Sequence, residues 1–173
     1  MTNGMRSVEL REAGPPFAVG PAEPVRACVG SRQQVVAPAP GPVGDLVRLV
    51  PAVLDGLGPV TVTDRRLFGG GARPPEGGPA TAWSLPLEGV EAVARDEEGR
   101  WPITLLAVGP AAIRLAPDGG STDPDDLFDL LVRLAAARHL DSARDPLTRR
   151  RLADLARRAE PHTGDLIELR PHS

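Results

Sequence analysis

From residue 25 onward the chain alternates apolar and polar positions in short bursts separated by turn residues. Val25, Ala27 and Val29 alternate with Arg26, Cys28 and Gly30, which predicts a strand over 25–36. The Pro-rich stretch 37–42 reads as a connector. Across 43–57, Leu46, Leu49, Val50, Val53, Leu54 and Leu57 recur at i, i+3, i+4 and i+7, predicting a helix that Pro51 kinks or splits and that Gly56 and Gly58 end. From Pro59 the period falls to two: Val60 and Val62 alternate with Thr61 and Thr63, Asp64-Arg65 turns the chain, and Arg66-Leu67-Phe68 returns. The segment 69–79 (GGGARPPEGGP) predicts a flexible loop. Strands are then expected at 80–87, 90–94, 103–108 and 112–116, with turns at 96–99 and at Gly109-Pro110. Turns roughly every 8–12 residues imply an antiparallel sheet or small barrel.

The C-terminal third changes to helical spacing. Asp123 is a suitable N-cap, Pro124 suits the first helical position, and Asp125 and Asp126 complement the positive end of the dipole, so a helix is expected over 124–140. Leu127, Leu130, Leu131 and Leu134 form its core stripe, widened by Phe128 and Val132. A second helix over 146–159 starts at Asp145-Pro146 and stops at Pro161, and 166–169 suggests a last short strand. The first 24 residues hold Gly14-Pro15-Pro16 and Gly20-Pro21 and are expected to be partly ordered, with a short strand near 7–11. The division is therefore a partly ordered segment 1–24, a domain 25–140, and an appended basic helix and tail 141–173.

Composition narrows the chemistry. All 20 basic residues are Arg, and Lys and Tyr are absent, so lysine Schiff-base and phenolic acid/base chemistry are excluded. The bias toward Arg, Ala, Gly and Pro is the usage expected of a GC-rich coding sequence. One cysteine, Cys28, forbids an internal disulfide and a cysteine-cage metal site, and on its strand it reads as a small core residue. Among 173 residues no stretch reaches the roughly 20 apolar residues of a membrane span, and no secretory signal pattern begins the chain, so a cytoplasmic location is expected. Residues 144–160 hold six Arg against Asp145, Asp154 and Glu160, a local +3, and with a net charge of −3 the remainder carries −6. An acidic body with a basic tail argues against nucleic acid as the partner.

Thr63-Asp64-Arg65-Arg66-Leu67, followed by Leu85-Pro86-Leu87-Glu88-Gly89-Val90-Glu91-Ala92-Val93, two further strands and an amphipathic helix, resembles the bacterial pleckstrin-homology-like (PH-like), GRAM-type domains over about 59–140. The resemblance implies an α+β fold: a strongly bent antiparallel sheet or PH-like partial barrel capped by the 124–140 helix, with an additional helix appended. It implies a non-catalytic binding module, engaging a protein partner or its own copy. It also implies a second reading, an anionic small-molecule or lipid-headgroup site near the first hairpin, where Arg32, Arg65, Arg66 and Arg73 are the available cations. Membrane-surface contact is the less favoured of these.

Other residues divide between chemistry and packing. Arg65-Arg66 suits an anion clamp, or a turn whose arginines pair with Asp64 and Glu88. On the second helix Arg144, Arg150, Arg151, Arg157 and Arg158 share one face and Leu152, Leu155, Ala156 and Ala159 the other, offering an acidic-partner, nucleic-acid or membrane-surface contact, or a helix packed on the domain by its leucines with the arginines in water or paired with the acidic body. Trp83 reads as core and Trp101 as a partly exposed interface anchor. His139 beside Asp141 reads as a solvated helix end, and His139, His162 and His172 are too scattered for a metal site. Nothing in the sequence calls for a cofactor. An enzyme of unrecognised type would require a pocket lined by carboxylates such as Glu88 and Glu91.

Overall fold

The computed structural model describes residues 8–12, 17–38, 51–74, 76–108, 111–120, 122–157 and 166–170. Among these residues nine strands form one sheet: β1 (Glu9–Glu12), β2 (Val25–Pro38), β3 (Pro51–Thr63), β4 (Arg66–Ala72), β5 (Thr81–Pro86), β6 (Val90–Arg95), β7 (Ile103–Ala107), β8 (Ala111–Pro117) and β9 (Leu166–Glu168). Their order is β1-β5-β4-β3-β2-β8-β7-β6-β9, and every pairing is antiparallel. A 3-10 turn (Leu87–Gly89) links β5 to β6, and α1 (Pro124–Ser142) and α2 (Pro146–Arg157) lie between β8 and β9. The result is the expected α+β architecture, an antiparallel sheet curled into a half-barrel and capped by a helix.

The largest departure from the sequence pattern is the predicted helix 43–57. Its first half lies outside the described residues, but Pro51 to Leu57 belong to β3, which pairs in register with β2 from Pro38↔Pro51 to Ala27↔Val62, with a register shift before Val25↔Thr63. The inward face of β3 is Leu54, Gly56, Gly58, Val60 and Val62, a period of two, whereas Leu57 points outward and is 65% exposed. A long partner strand supplies a hydrogen bond at each step, and that ladder outweighs a leucine spacing that also suits a helix. The connector predicted at 37–42 likewise begins inside β2, which runs to Pro38.

The glycine-rich 69–79 segment is also not wholly a loop, because Gly69 to Ala72 continue β4. A register shift falls between Gly69 and Ala72, and Gly71 there has φ +82°, a backbone state that favours glycine. The strands need small residues because the concave side holds two large polar-tipped side chains. Trp83 is fully buried, as expected, and its Nε1–H donates to Gln33 Oε1, while Gln33 Nε2 donates to Gly70 O at 3.1 Å. A Cβ on Gly69 would come within 2.8 Å of the Trp83 ring, and one on Gly58 within 2.5 Å of the Gly70 carbonyl oxygen.

The capping helix forms as its sequence dictates: the Asp123 carboxylate accepts from Asp125 N–H at 2.9 Å with Pro124 in the first turn. Leu127, Phe128, Leu131, Val132, Ala135 and Ala136 are buried in the core, packing against β6 and the 3-10 turn. Leu134 is partly buried against that core, and Leu130 is half-buried and stands outside it. The second helix is capped by Asp145, whose carboxylate accepts from Thr148 N–H at 2.8 Å and is thereby held below the usual carboxylate range. Leu152 anchors α2 in the core, with Leu155 and Ala156 partly buried beside it. The last strand, β9, adds to the edge of β6.

His139 is a correction. It is buried, not a solvated cap, and its Nε2–H donates to Val90 O at 2.6 Å. Burial lowers its pKa; the Val90 bond and the Glu88 and Glu91 carboxylates oppose that shift, and Arg170 adds to it. The unfolded chain, with His near pKa ~6.5, therefore binds more protons than the folded one, so stability is lost as pH falls below about 6.5. Melting temperature should drop between pH 8 and 5 in the native protein and drop less in His139→Gln, which keeps an N–H donor but does not titrate. Equal slopes in the two proteins would remove His139 as the cause.

Candidate functional site

The hairpin between β3 and β4 is built by Thr63. Its buried hydroxyl accepts from the amides of Arg65 and Arg66, both at 3.2 Å, and donates to Glu23 Oε1 at 2.6 Å. The hairpin amides are thus bonded by the Thr63 side chain. Asp64 instead pairs with Arg26 through both oxygens, which lowers its pKa.

Arg66 is held on three sides. Its Nε and Nη2 reach the two Glu23 oxygens at 3.0 and 3.2 Å, Nη2 donates to Ala18 O at 2.6 Å, and its Cζ lies 4.9 Å from the Phe68 ring centre and 6.0 Å from that of Phe17. The Arg66 bond holds the Glu23 carboxyl down to about 2. An arginine already paired in this way has little left for an added anion.

The four arginines named for an anionic ligand go to different places. Arg65 is exposed and, with Arg66, lines a cleft of about 690 Å3 together with Val8, Ser84, Pro86 and Arg138. Glu9, Glu23 and Glu88 line the same cleft, so its cations and carboxylates balance. Arg138 stands 3.8 Å from both Glu88 and Asp141. Arg73 pairs through its backbone with Asp55, and its guanidinium donates to Gly78 O at 3.3 Å. Arg32 lies on the outer face of β2, with its Cζ 5.0 Å from the centre of the Trp101 ring. Glu91 pairs with Arg170 at 3.3 Å, and Glu88 lines the 690 Å3 cleft without Glu91.

The outer face of the central strands carries a feature the sequence pattern missed. Leu57 is the register partner of Arg32, so its exposed side chain stands beside the half-buried Arg32–Trp101 stack. On its other side opens a cleft of about 410 Å3 walled by Leu57, Pro59, Thr61, Phe17 and Phe68 and floored by Gly69, Gly70 and Gly71. Phe17 and Phe68 are a tilted pair, 6.5 Å between ring centres, forming with Ala82 a small outer cluster. An apolar strip therefore runs across the sheet with Arg32 at one end and Arg66 at the other. Phe17 and Glu23 gave no local signal, because their partners are brought to them only by the hairpin pairing of β3 and β4. Cys28 lies on this outer face too, exposed and not in the core. The alternation had already set it with Arg26 and Gly30.

On α2, Arg150, Arg151 and Arg157 are exposed, and Arg158 lies outside the described residues. Arg151 donates to Glu168 O at 2.7 Å. Arg149 reaches back to the end of α1, donating to Leu140 O at 3.3 Å and Ala143 O at 2.9 Å. Among the described residues no three His, Cys, Asp or Glu side chains are grouped to hold a metal ion, and no helix is long and apolar enough to cross a membrane. His162 and His172 lie outside the described residues. No protein-family model matches the chain, and no curated protein or solved structure matches it.

Proposed function

We propose that the chain is a non-catalytic binding module of PH-like architecture that engages protein, acting in the bacterial cytoplasm. The curled antiparallel sheet and the helix packed on β6 directly after β8 are compatible with what the PH-like resemblance implies and support that reading. The observation that carries the binding surface is the exposed Leu57 beside the Arg32–Trp101 stack. Exposed aromatic and Arg groups around an apolar centre are the composition of protein interface hot spots. Among the described residues Trp101 is the only ligand of the Arg32 guanidinium, which leaves its charge for a partner carboxylate.

Photo-crosslinking capture from an extract of the native cell, with the native protein and Leu57→Asp/Trp101→Ala, tests this face. The double substitution should reduce recovery of the captured protein at least about tenfold, the effect of losing 1.4 kcal/mol or more at a hot spot. Equal recovery would dismiss the surface. The headgroup reading draws on the cleft at Arg65 and Arg138. It requires co-sedimentation with vesicles containing phosphatidylinositol phosphates that Arg65→Ala abolishes, and the balance of charges in that cleft favours the protein reading.

A further inference from the structure

The glycines of β4 are not all required by the fold. Gly69 turns inward, where a Cβ would strike the Trp83 ring, and Gly71 takes the positive φ of the register shift. Gly70 is under neither constraint: a Cβ there meets nothing within 4 Å. Alternation points it outward, into the cleft of about 410 Å3 walled by Leu57, Pro59, Thr61, Phe17 and Phe68. Glycine inside a strand costs stability, and one that the packing does not need marks a place where another group comes close. A side chain at Gly70 would fill this cleft, and glycine leaves it empty.

The walls of the cleft are preformed. Phe17 and Phe68 are 7% and 8% exposed, so their rings are fixed, and the Arg66 guanidinium lies 4.9 Å from the Phe68 ring centre. Leu57 is the exposed lip. The volume falls in the range of about 300–1,000 Å3 that takes a ligand-sized group. Across Leu57, on the β2 side, stands Arg32. It rests on Trp101, and among the described residues it makes no ion pair. Arg66, at the other end of the strip, is committed to Glu23. The positive charge still open to a partner is therefore at the Leu57 end, and its complement is a carboxylate.

Resting on the protein-binding reading above and naming what the partner presents, we propose that the cleft is an anchor pocket for a short extended segment of the partner. One bulky apolar side chain enters over Gly70, and an Asp or Glu of the same segment reaches Arg32. The strands β4 and β2 lie two strand spacings apart, about 10 Å. Extended chain advances about 3.3 Å per residue, so the carboxylate stands roughly two to four residues from the anchor. The anchor supplies the affinity, and the carboxylate fixes the orientation.

Selection of a random-peptide library on the immobilised full chain tests this. Enriched peptides should carry a bulky apolar residue with Asp or Glu at that spacing. The affinity of a selected peptide should fall at least about tenfold on Gly70→Leu, whose side chain occupies the cleft. Arg32→Glu should exchange the preference for Asp or Glu for one for Lys or Arg. Gly70→Cys in a Cys28→Ser background keeps the test decisive should leucine disturb the fold: it binds the peptide until N-phenylmaleimide caps the thiol. No enrichment, enrichment without acidic residues, binding indifferent to Gly70→Leu, or a Gly70→Cys thiol that the reagent cannot reach would overturn the proposal. Peptides lost on Leu57→Asp/Trp101→Ala but retained on Gly70→Leu and Arg32→Glu would sink the anchor pocket alone and leave the protein-binding reading standing.

Discussion

Gly58→Ala is expected to destabilise the fold by about 2–3 kcal/mol, while Gly70→Ala on the neighbouring strand changes stability by less than about 0.5 kcal/mol. The contrast follows from where each new methyl would go. On Gly58 it lands 2.5 Å from the Gly70 carbonyl oxygen and 3.4 Å from Gln33 Nε2, whereas on Gly70 it meets nothing within 4 Å. A backbone oxygen cannot rotate aside as a side-chain tip can. Relief therefore parts β3 from β4 or breaks the Gln33 bond to Gly70, leaving a buried amide unsatisfied. Both glycines lose similar backbone freedom on folding, so the difference between the variants isolates packing. Urea unfolding of both proteins measures it, and equal midpoints would mean that the strands do not approach this closely.

Phe128→Ala should cost about 3–5 kcal/mol, a large part of the 5–15 kcal/mol typical of a domain. Phe128 is among the largest fully buried side chains, at 1% exposure, and sits on the face of α1 that closes the curled sheet. Truncating it opens a cavity between the helix and the sheet, and the rigid sheet cannot collapse to fill it. Leu130→Ala, on the same helix but half-buried, should cost less than about 1.5 kcal/mol. Hydrogen exchange in Phe128→Ala should show faster opening of α1 and of the Val90 contact made by His139. If both variants unfold at the same denaturant concentration, the helix is not the plug of the core.

The parts of the fold governed by local chemistry were legible in the sequence. The strands from Val60 onward are spaced by their turns, and α1 is announced by Asp123 and Pro124. What escaped reading depended on distant partners. Leu46, Leu49, Val53 and Leu57 satisfy a helical spacing, but β2 supplies a thirteen-position ladder to the segment from Pro51 onward, and no local count can register that. Glycines 56, 58 and 69–71 read as helix stops and loop residues, yet Gly56 and Gly58 let β3 approach the backbone of β4, and Gly69 gives room to Trp83 and Gln33. Trp101 was singled out correctly as half-exposed, but its stack with Arg32 needs the sheet to bring the two residues together. For Arg66 the sequence offers an anion clamp or a pairing with Asp64 or Glu88, but not its partner Glu23, which lies 43 positions away and carries no sign of its role. Cys28 was misjudged by residue type where its own alternation gave the better answer.

The pairing of β2 with β8 has a consequence for biogenesis. Their pairing joins residues as far apart as Ser31 and Pro117, a separation of 86 positions. Closing so large a loop is slow, and a nascent chain emerges at roughly 5–20 residues per second. For several seconds of translation the long edge of β2 is therefore exposed with its eventual neighbour still inside the ribosome, and shielding it from other nascent chains falls to the speed of synthesis and to chaperones.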